Sequence, residues 1–196
     1  DIIEAERAIR PYIRTTPVME VDPADFGLNC RGRMTLKLEC MQHTGSFKPR
    51  GAFASLLLPE RETRTIAAAS GGNHGAAVAY AAQTLGHTAH IFVPEMAGPA
   101  KIALIKRTGA QLTVVEGEYA NAAEAASEYE EATGAMQIHA YDAPGTVAGQ
   151  GTCLAEWEAQ GLEADTVLIA VGGGSKSDYW VQAVATMLGM PIGLPV

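Results

Sequence analysis

The sequence predicts an α/β fold of mostly parallel sheets covered by helices, and three observations carry that prediction. From residue 65 onward, short apolar runs alternate with longer Ala-rich segments, the rhythm of strand and crossover helix. The helical segments close on Gly86, Gly109, Gly134 and Gly161, the residue type that most readily stops a helix in a left-handed conformation. Apolar residues make up 47% of 196 residues and mean hydropathy is near zero, which suits a sizeable core in water.

Taken in order, residues 1–13 carry apolar positions at a rough helical period that Pro11 interrupts, so a short amphipathic helix is expected. Residues 16–21 and 34–39 read as short strands separated by a Pro/Gly/Asn loop. Residues 47–58 are helix-like, and Pro49 is tolerable because a first-turn residue needs no intrahelical N–H bond. The alternation then gives strands at 65–70, 89–93, 111–115, 137–141 and 166–171, with helices at 75–85, 99–107, 120–133 and 147–159. The Ala/Glu-rich helix at 118–131 presents a solvated charged face.

Composition excludes several function classes. Fourteen basic against 22 acidic residues give a net charge of −8, which argues against a nucleic-acid or anionic-membrane partner and requires any phosphate to be held locally. No run reaches the ~18 apolar residues of a membrane helix, and the start lacks the basic-then-apolar order of a signal peptide, so a cytoplasmic protein is expected. Cys30, Cys40 and Cys153 have no C-x-x-C spacing, and His87, His90 and His139 have no ligand spacing; we expect idle thiols, structural or exposed histidines, and no metal. The chain begins without Met and ends in an apolar stretch, which suggests part of something longer.

Two segments concentrate the chemistry. His43-Thr44-Gly45-Ser46-Phe47-Lys48-Pro49-Arg50-Gly51-Ala52 places one lysine between a polar, glycine-containing turn and a small-residue helix. Ser70-Gly71-Gly72-Asn73-His74-Gly75 follows a strand and opens a helix, so its backbone N–H groups can converge on an anion at the positive helix end. A third glycine turn, Gly172-Gly173-Gly174-Ser175, again ends a strand. This is a layout for holding a cofactor.

Over residues 1–174 the motifs resemble the fold-type II pyridoxal-phosphate (PLP) enzymes, and within them the threonine/serine dehydratases. The resemblance implies a larger lobe (1–64 and 143–196) with a smaller lobe (65–142) inserted, PLP between them, and a homodimer. It implies that Lys48 bonds covalently to the cofactor and is the catalytic base, with Phe47 beside it. A lysine attacks an aldehyde only when neutral; burial beside Phe47, or Arg50 as a nearby cation, would favour that form. Ser70, Gly71, Asn73 and His74 would form the loop that grips the substrate carboxylate, with Asn73 also near the cofactor's 3′-oxygen. Gly71 stands where serine racemases of the family carry an acid/base serine, which favours elimination over racemisation. Gly172, Gly173, Gly174 and Ser175 correspond to the phosphate loop, and the glycines of Ala148-Gly149-Gln150-Gly151-Thr152 are read as close-packing positions.

Residues 172–196 carry a second resemblance. Gly-Gly-Gly-Ser-Lys-Ser-Asp-Tyr-Trp at 172–180 resembles the G-G-G-x-x-S-x-x-W segment of xylulokinase-type FGGY sugar kinases, so a hybrid or truncated chain is expected. The residue facing the pyridine nitrogen in dehydratases has no counterpart here. The expected function is PLP-dependent elimination of water from L-threonine or L-serine, giving a 2-oxo acid and ammonia. The alternatives are a non-catalytic fragment of that family and, more weakly, a nucleotide-binding hybrid.

Overall fold

A computed structural model describes residues 1–29, 32–59 and 64–167. The N-terminal part is helical apart from one antiparallel pair. Helix α1 (Ile2–Ile9) starts with a capping box in which Asp1 accepts from the Glu4 N–H, and Pro11 converts its continuation into a 3₁₀ turn at Arg10–Tyr12. Strands β1 (Val18–Val21) and β2 (Met34–Lys37) pair with Val18 opposite Lys37. Two 3₁₀ turns then lead into α2 (Lys48–Leu57), with Pro49 in its first turn as expected.

Next come β3 (Thr65–Ala69), α3 (Asn73–Leu85), β4 (Thr88–Pro94), α4 (Pro99–Arg107), β5 (Gln111–Val115), α5 (Tyr119–Thr133), β6 (Met136–Gln137) and α6 (Pro144–Ala159). The four-stranded sheet is parallel in the order β5-β4-β3-β6. The chain steps outward from β3 to β4 to β5, then returns across the sheet to β6. Right-handed crossovers therefore place α3 and α4 on one face and α5 on the other.

Burial follows the strand period. Ile66, Ala68, Ile91 and Val93 pack with the α3 residues Ala76–Ala82 and Ile105, whereas Ala67, Ala69 and Phe92 pack with Ala122 and Ala126 of α5. His90, on the α5 face, stacks on Phe92 at 4.4 Å and meets the edge of Tyr129 at 4.7 Å, so it is structural; His139 is exposed. Cys40 is an exposed free thiol, while burial, with the nearby Glu39, pushes the free Cys153 thiol up to about 12. Gly86, Gly109, Gly134 and Gly161 all have positive φ just past their helices. No helix among the described residues is long and apolar enough to cross a membrane.

Helix α2 packs against α6 through small residues four apart on each. Gly145 meets Ser55 and Gly149 meets Gly51, so Gly149 is a close-packing position as expected and Gly145 is a further one. A Cβ at Gly149 would overlap the Arg50 carbonyl oxygen and stand 2.6 Å from Gly51 Cα, atoms that move only if the helices part. Gly149→Ala is expected to lower stability by about 1–3 kcal/mol, read as a lower urea midpoint with an unchanged slope.

Three expected strands end differently. Residues 16–17 and 38–39 are not in β1 and β2, because the Thr16 N–H and hydroxyl bond carboxylates and residues 39–41 turn into a 3₁₀ helix. The strand expected at 137–141 is only Met136–Gln137, because the next three carbonyls accept from side chains rather than from a neighbouring strand. Helix α3 starts at Asn73, two residues before the expected position. The strand expected at 166–171 extends beyond the described residues.

Candidate active site

In an open parallel sheet, the crevice for a ligand lies outside the carboxyl ends of the strands where the chain's direction across the sheet reverses. Here that point is the end of β3 and β6, and the first turn of α2 faces it. Lys48 is the first residue of α2; its Nζ donates to the Ala140 carbonyl just beyond β6 at 2.9 Å and lies 5.1 Å from the Phe47 ring centroid. Burial lowers the Lys48 pKa from its ordinary value, in the sense that favours the neutral, nucleophilic amine.

Arg50 does not contribute as the expected nearby cation. Its guanidinium is fully buried and turned to Glu39, which it holds through two 2.8 Å bonds, and to Glu156 at 3.0 Å. Its charge is thus met on the spot, and burial alone accounts for Lys48.

The Ser70–Gly75 loop approaches from the end of β3. The Ser70 N–H bonds the Phe92 carbonyl, and Ser70 Oγ accepts from the Gly72 N–H at 3.1 Å, which folds the turn. Gly75 has to be glycine, since a Cβ there would stand 2.6 Å from the Ser70 carbonyl oxygen. Helix α3 begins with no side-chain cap among the described residues, so its leading N–H groups are free to meet an anion. Asn73, in the first turn, is exposed, and its Oδ1 accepts from Lys101 Nζ. At Gly71 a Cβ would lie 2.5 Å from Ala97 Cβ and 3.3 Å from Pro94 Cδ, so residues 94–97 would have to shift to admit any side chain.

His74 is turned inward: the residue is 4% exposed and Nε2 lies 2.9 Å from the Ile138 carbonyl oxygen. A carbonyl only accepts, so Nε2 carries the proton. What His74 offers the loop surface is its backbone. Burial pushes its pKa down to about 4; Lys48 and His139 add to this, and the Ile138 bond opposes it. The folded state therefore binds this proton less readily than the unfolded chain. The stabilisation is fully present above about pH 6.5 and is lost as pH falls through about 4, a change on the order of 3 kcal/mol. His74→Gln should flatten that part of the pH dependence of the urea midpoint.

The site has polar groups to spare for a cofactor. Thr44 Oγ1 and Ser46 Oγ, just before Lys48, are buried with no hydrogen-bond partner among the described residues, and Thr44 adopts φ +62°, a strained value for a β-branched residue. These orphaned hydroxyls and the half-buried amine fit a polar, carbonyl-bearing ligand such as PLP, and the uncapped helix start fits a second anionic group beside it. Lys48, Phe47 and Asn73 are the described residues that would hold PLP. The expected phosphate loop, Gly172, Gly173, Gly174 and Ser175, lies outside the described residues. Sequence reading missed the Ile138–Ala140 carbonyls and Thr146, since carbonyl placement leaves no mark in residue type.

Comparison with known proteins bears on the cofactor and the family. The profile of pyridoxal-phosphate dependent enzymes matches residues 9–177, which takes in the glycine turn at 172–175 and runs past Gly174. The chain is 36% identical over 176 residues to an L-threonine ammonia-lyase of Thermotoga maritima, covering 89% of this chain and 43% of that protein. It is 38% identical to a catabolic L-threonine dehydratase of Staphylococcus aureus (89% and 51%). Among solved structures, the threonine deaminase of T.th. superposes with a TM-score of 0.79 at 37% identity (95% and 60%), and maize serine racemase with 0.83 at 30% identity (99% and 66%). The chain thus spans about half the length of the curated relatives it matches. These relatives lend no support to the sugar-kinase resemblance of residues 172–196, which also lie outside the described residues. With a lysine-bearing helix start, an uncapped helix facing it and a match over most of its length, the chain belongs to the family of pyridoxal-phosphate dependent enzymes.

Proposed function

We propose that the protein formed by this chain eliminates water from a small β-hydroxy amino acid, L-threonine or L-serine, to give a 2-oxo acid and ammonia. The observation that carries this reading is the placement of Lys48: a half-buried amine with a lowered pKa opposite the Ser70–Gly75 loop. PLP, when bound, supplies an electron sink for the charge that develops at the substrate Cα. The α3 N–H groups and Ser70 bind the substrate carboxylate, and Asn73 orients it. Lys48 Nζ, neutral, removes the proton from Cα, and the β-hydroxyl departs as water after gaining a proton. The resulting enamine hydrolyses to the 2-oxo acid and ammonia.

The relatives include serine racemases as well as dehydratases, so the reaction type rests on the site. Gly71 supports elimination: it carries no acid or base, and Ala97 and Pro94 fill the space a side chain would need. Incubation with PLP and L-threonine or L-serine should release ammonia and 2-oxo acid in equal amounts. Formation of D-serine without ammonia would instead establish racemisation. Bound PLP with no conversion would establish a non-catalytic member of the family. A homodimer belongs to the same proposal and is read by sedimentation.

A further inference from the structure

Three consecutive carbonyls beyond β6 each accept a hydrogen bond from a different helix. Ile138 O accepts from His74 Nε2 of α3 at 2.9 Å, His139 O from Thr146 Oγ1 of α6 at 2.9 Å, and Ala140 O from Lys48 Nζ of α2 at 2.9 Å. Ser55 Oγ lies 3.0 Å from Thr146 Oγ1. Because the Thr146 hydroxyl proton is committed to His139 O, Ser55 is the donor of that pair. Ser55 is seven residues, close to two turns, beyond Lys48, so both side chains leave the same side of α2. Helix α2 is thereby tied to one short backbone strip at two places: directly through Lys48, and through Ser55 and Thr146. Ser55 is 6% and Thr146 1% exposed, so water does not readily replace a lost partner.

We propose that Thr146, backed by Ser55, is a positioning residue for Lys48: it fixes the Ile138–Ala140 strip so that the Ala140 carbonyl holds the lysine amine at the mouth of the crevice. This rests on the reading of Lys48 as the cofactor-bearing amine, but the geometry can be tested without the cofactor. Among the described residues, Thr146 touches neither Lys48 nor the crevice loop through any hydrogen bond; it acts through the strip. Removing its hydroxyl takes away the donor that fixes the part-buried His139 carbonyl, and the strip relaxes toward other partners. Lys48 then loses the fixed acceptor that keeps it half-buried.

The test is the rate at which trinitrobenzenesulfonate labels Lys48 in the chain without PLP, followed by peptide mass spectrometry. Exposed Lys106 serves as a reference for reagent, and Lys37, whose side chain is 4% exposed in the ion cluster between β2 and α6, as a reference for general loosening. Thr146→Val is expected to raise the Lys48 rate at least threefold while Lys37 and Lys106 stay unchanged, and Thr146→Ser to restore the original rate. Ser55→Ala, the milder variant, is expected to raise it in the same direction, and it decides the matter if Thr146→Val does not fold. An unchanged Lys48 rate, or a rise shared equally by Lys37, would overturn the proposal. A chain that never takes up PLP would defeat the functional reading while leaving this result standing.

Discussion

Arg50→Ala is expected to lower the stability of the protein by about 3–5 kcal/mol, a large part of the ~5–15 kcal/mol that holds a typical domain together. The guanidinium is fully buried between α2 and α6, bonded twice to Glu39 and once each to Glu156 Oε1 and Thr152 Oγ1. Glu156 Oε1 also accepts from Lys37 Nζ and the Thr16 N–H, and its Oε2 from Arg10 Nη2. Truncating Arg50 leaves the Glu39 carboxylate, 13% exposed, without its guanidinium partner and takes one of several donors from the buried Glu156, and that penalty dominates the loss. Arg50→Lys should rescue little, because a single ammonium cannot span both Glu39 oxygens and Glu156. A urea titration measures both.

The same cluster sets an acid limit. Burial acts to raise the Glu156 pKa, but the bonds from Lys37, Arg50, Arg10 and the Thr16 N–H outweigh it and hold the carboxyl at about 2. Its contribution is complete above the ordinary value of 4.5 and is lost as pH falls toward 2.

Lys48→Ala is expected to abolish covalent uptake of PLP and to reduce ammonia release from L-threonine by about 10³-fold or more, since one residue supplies both the cofactor link and the base. Its effect on stability should stay near 1 kcal/mol, because the half-buried side chain makes one hydrogen bond among the described residues, to Ala140 O. Lys48→Arg should fail in the same way, since a guanidinium stays protonated and cannot attack an aldehyde. The contrast with Arg50, two residues away, is the physical distinction between the two positions. One charge is fully matched and structural; the other is left with a single neutral acceptor and a lowered pKa.

Most of the architecture was legible because it depends on periodicity and punctuation. Alternating Ile66, Ala67, Ala68 and Ala69 feed the two faces of one sheet, and Gly86 and Gly134 stop helices where the sequence places them. Lys48 and the Ser70–Gly75 turn stand out in the sequence because their chemistry is carried by residue type in a fixed context, and their roles belong to the proposed function. Of the two possible sources of a neutral Lys48, burial acts and Arg50 does not, because side chains two residues apart on a helix do not face each other. The partners of Arg50, Glu39 and Glu156, are 11 and 106 residues away. The Ile138–Ala140 strip falls within the strand expected at 137–141 from the alternation of apolar runs and Ala-rich segments, whereas its carbonyls are claimed by His74, Thr146 and Lys48.

Whether Lys48 is the cofactor-bearing residue is read directly by reductive trapping. The protein loaded with PLP is reduced with borohydride, digested, and the modified peptide located by mass spectrometry. A pyridoxyl phosphate mass is expected on Lys48 and on no other lysine, and is absent from Lys48→Ala. Attachment at a different lysine, or none after loading, would contradict that role for Lys48.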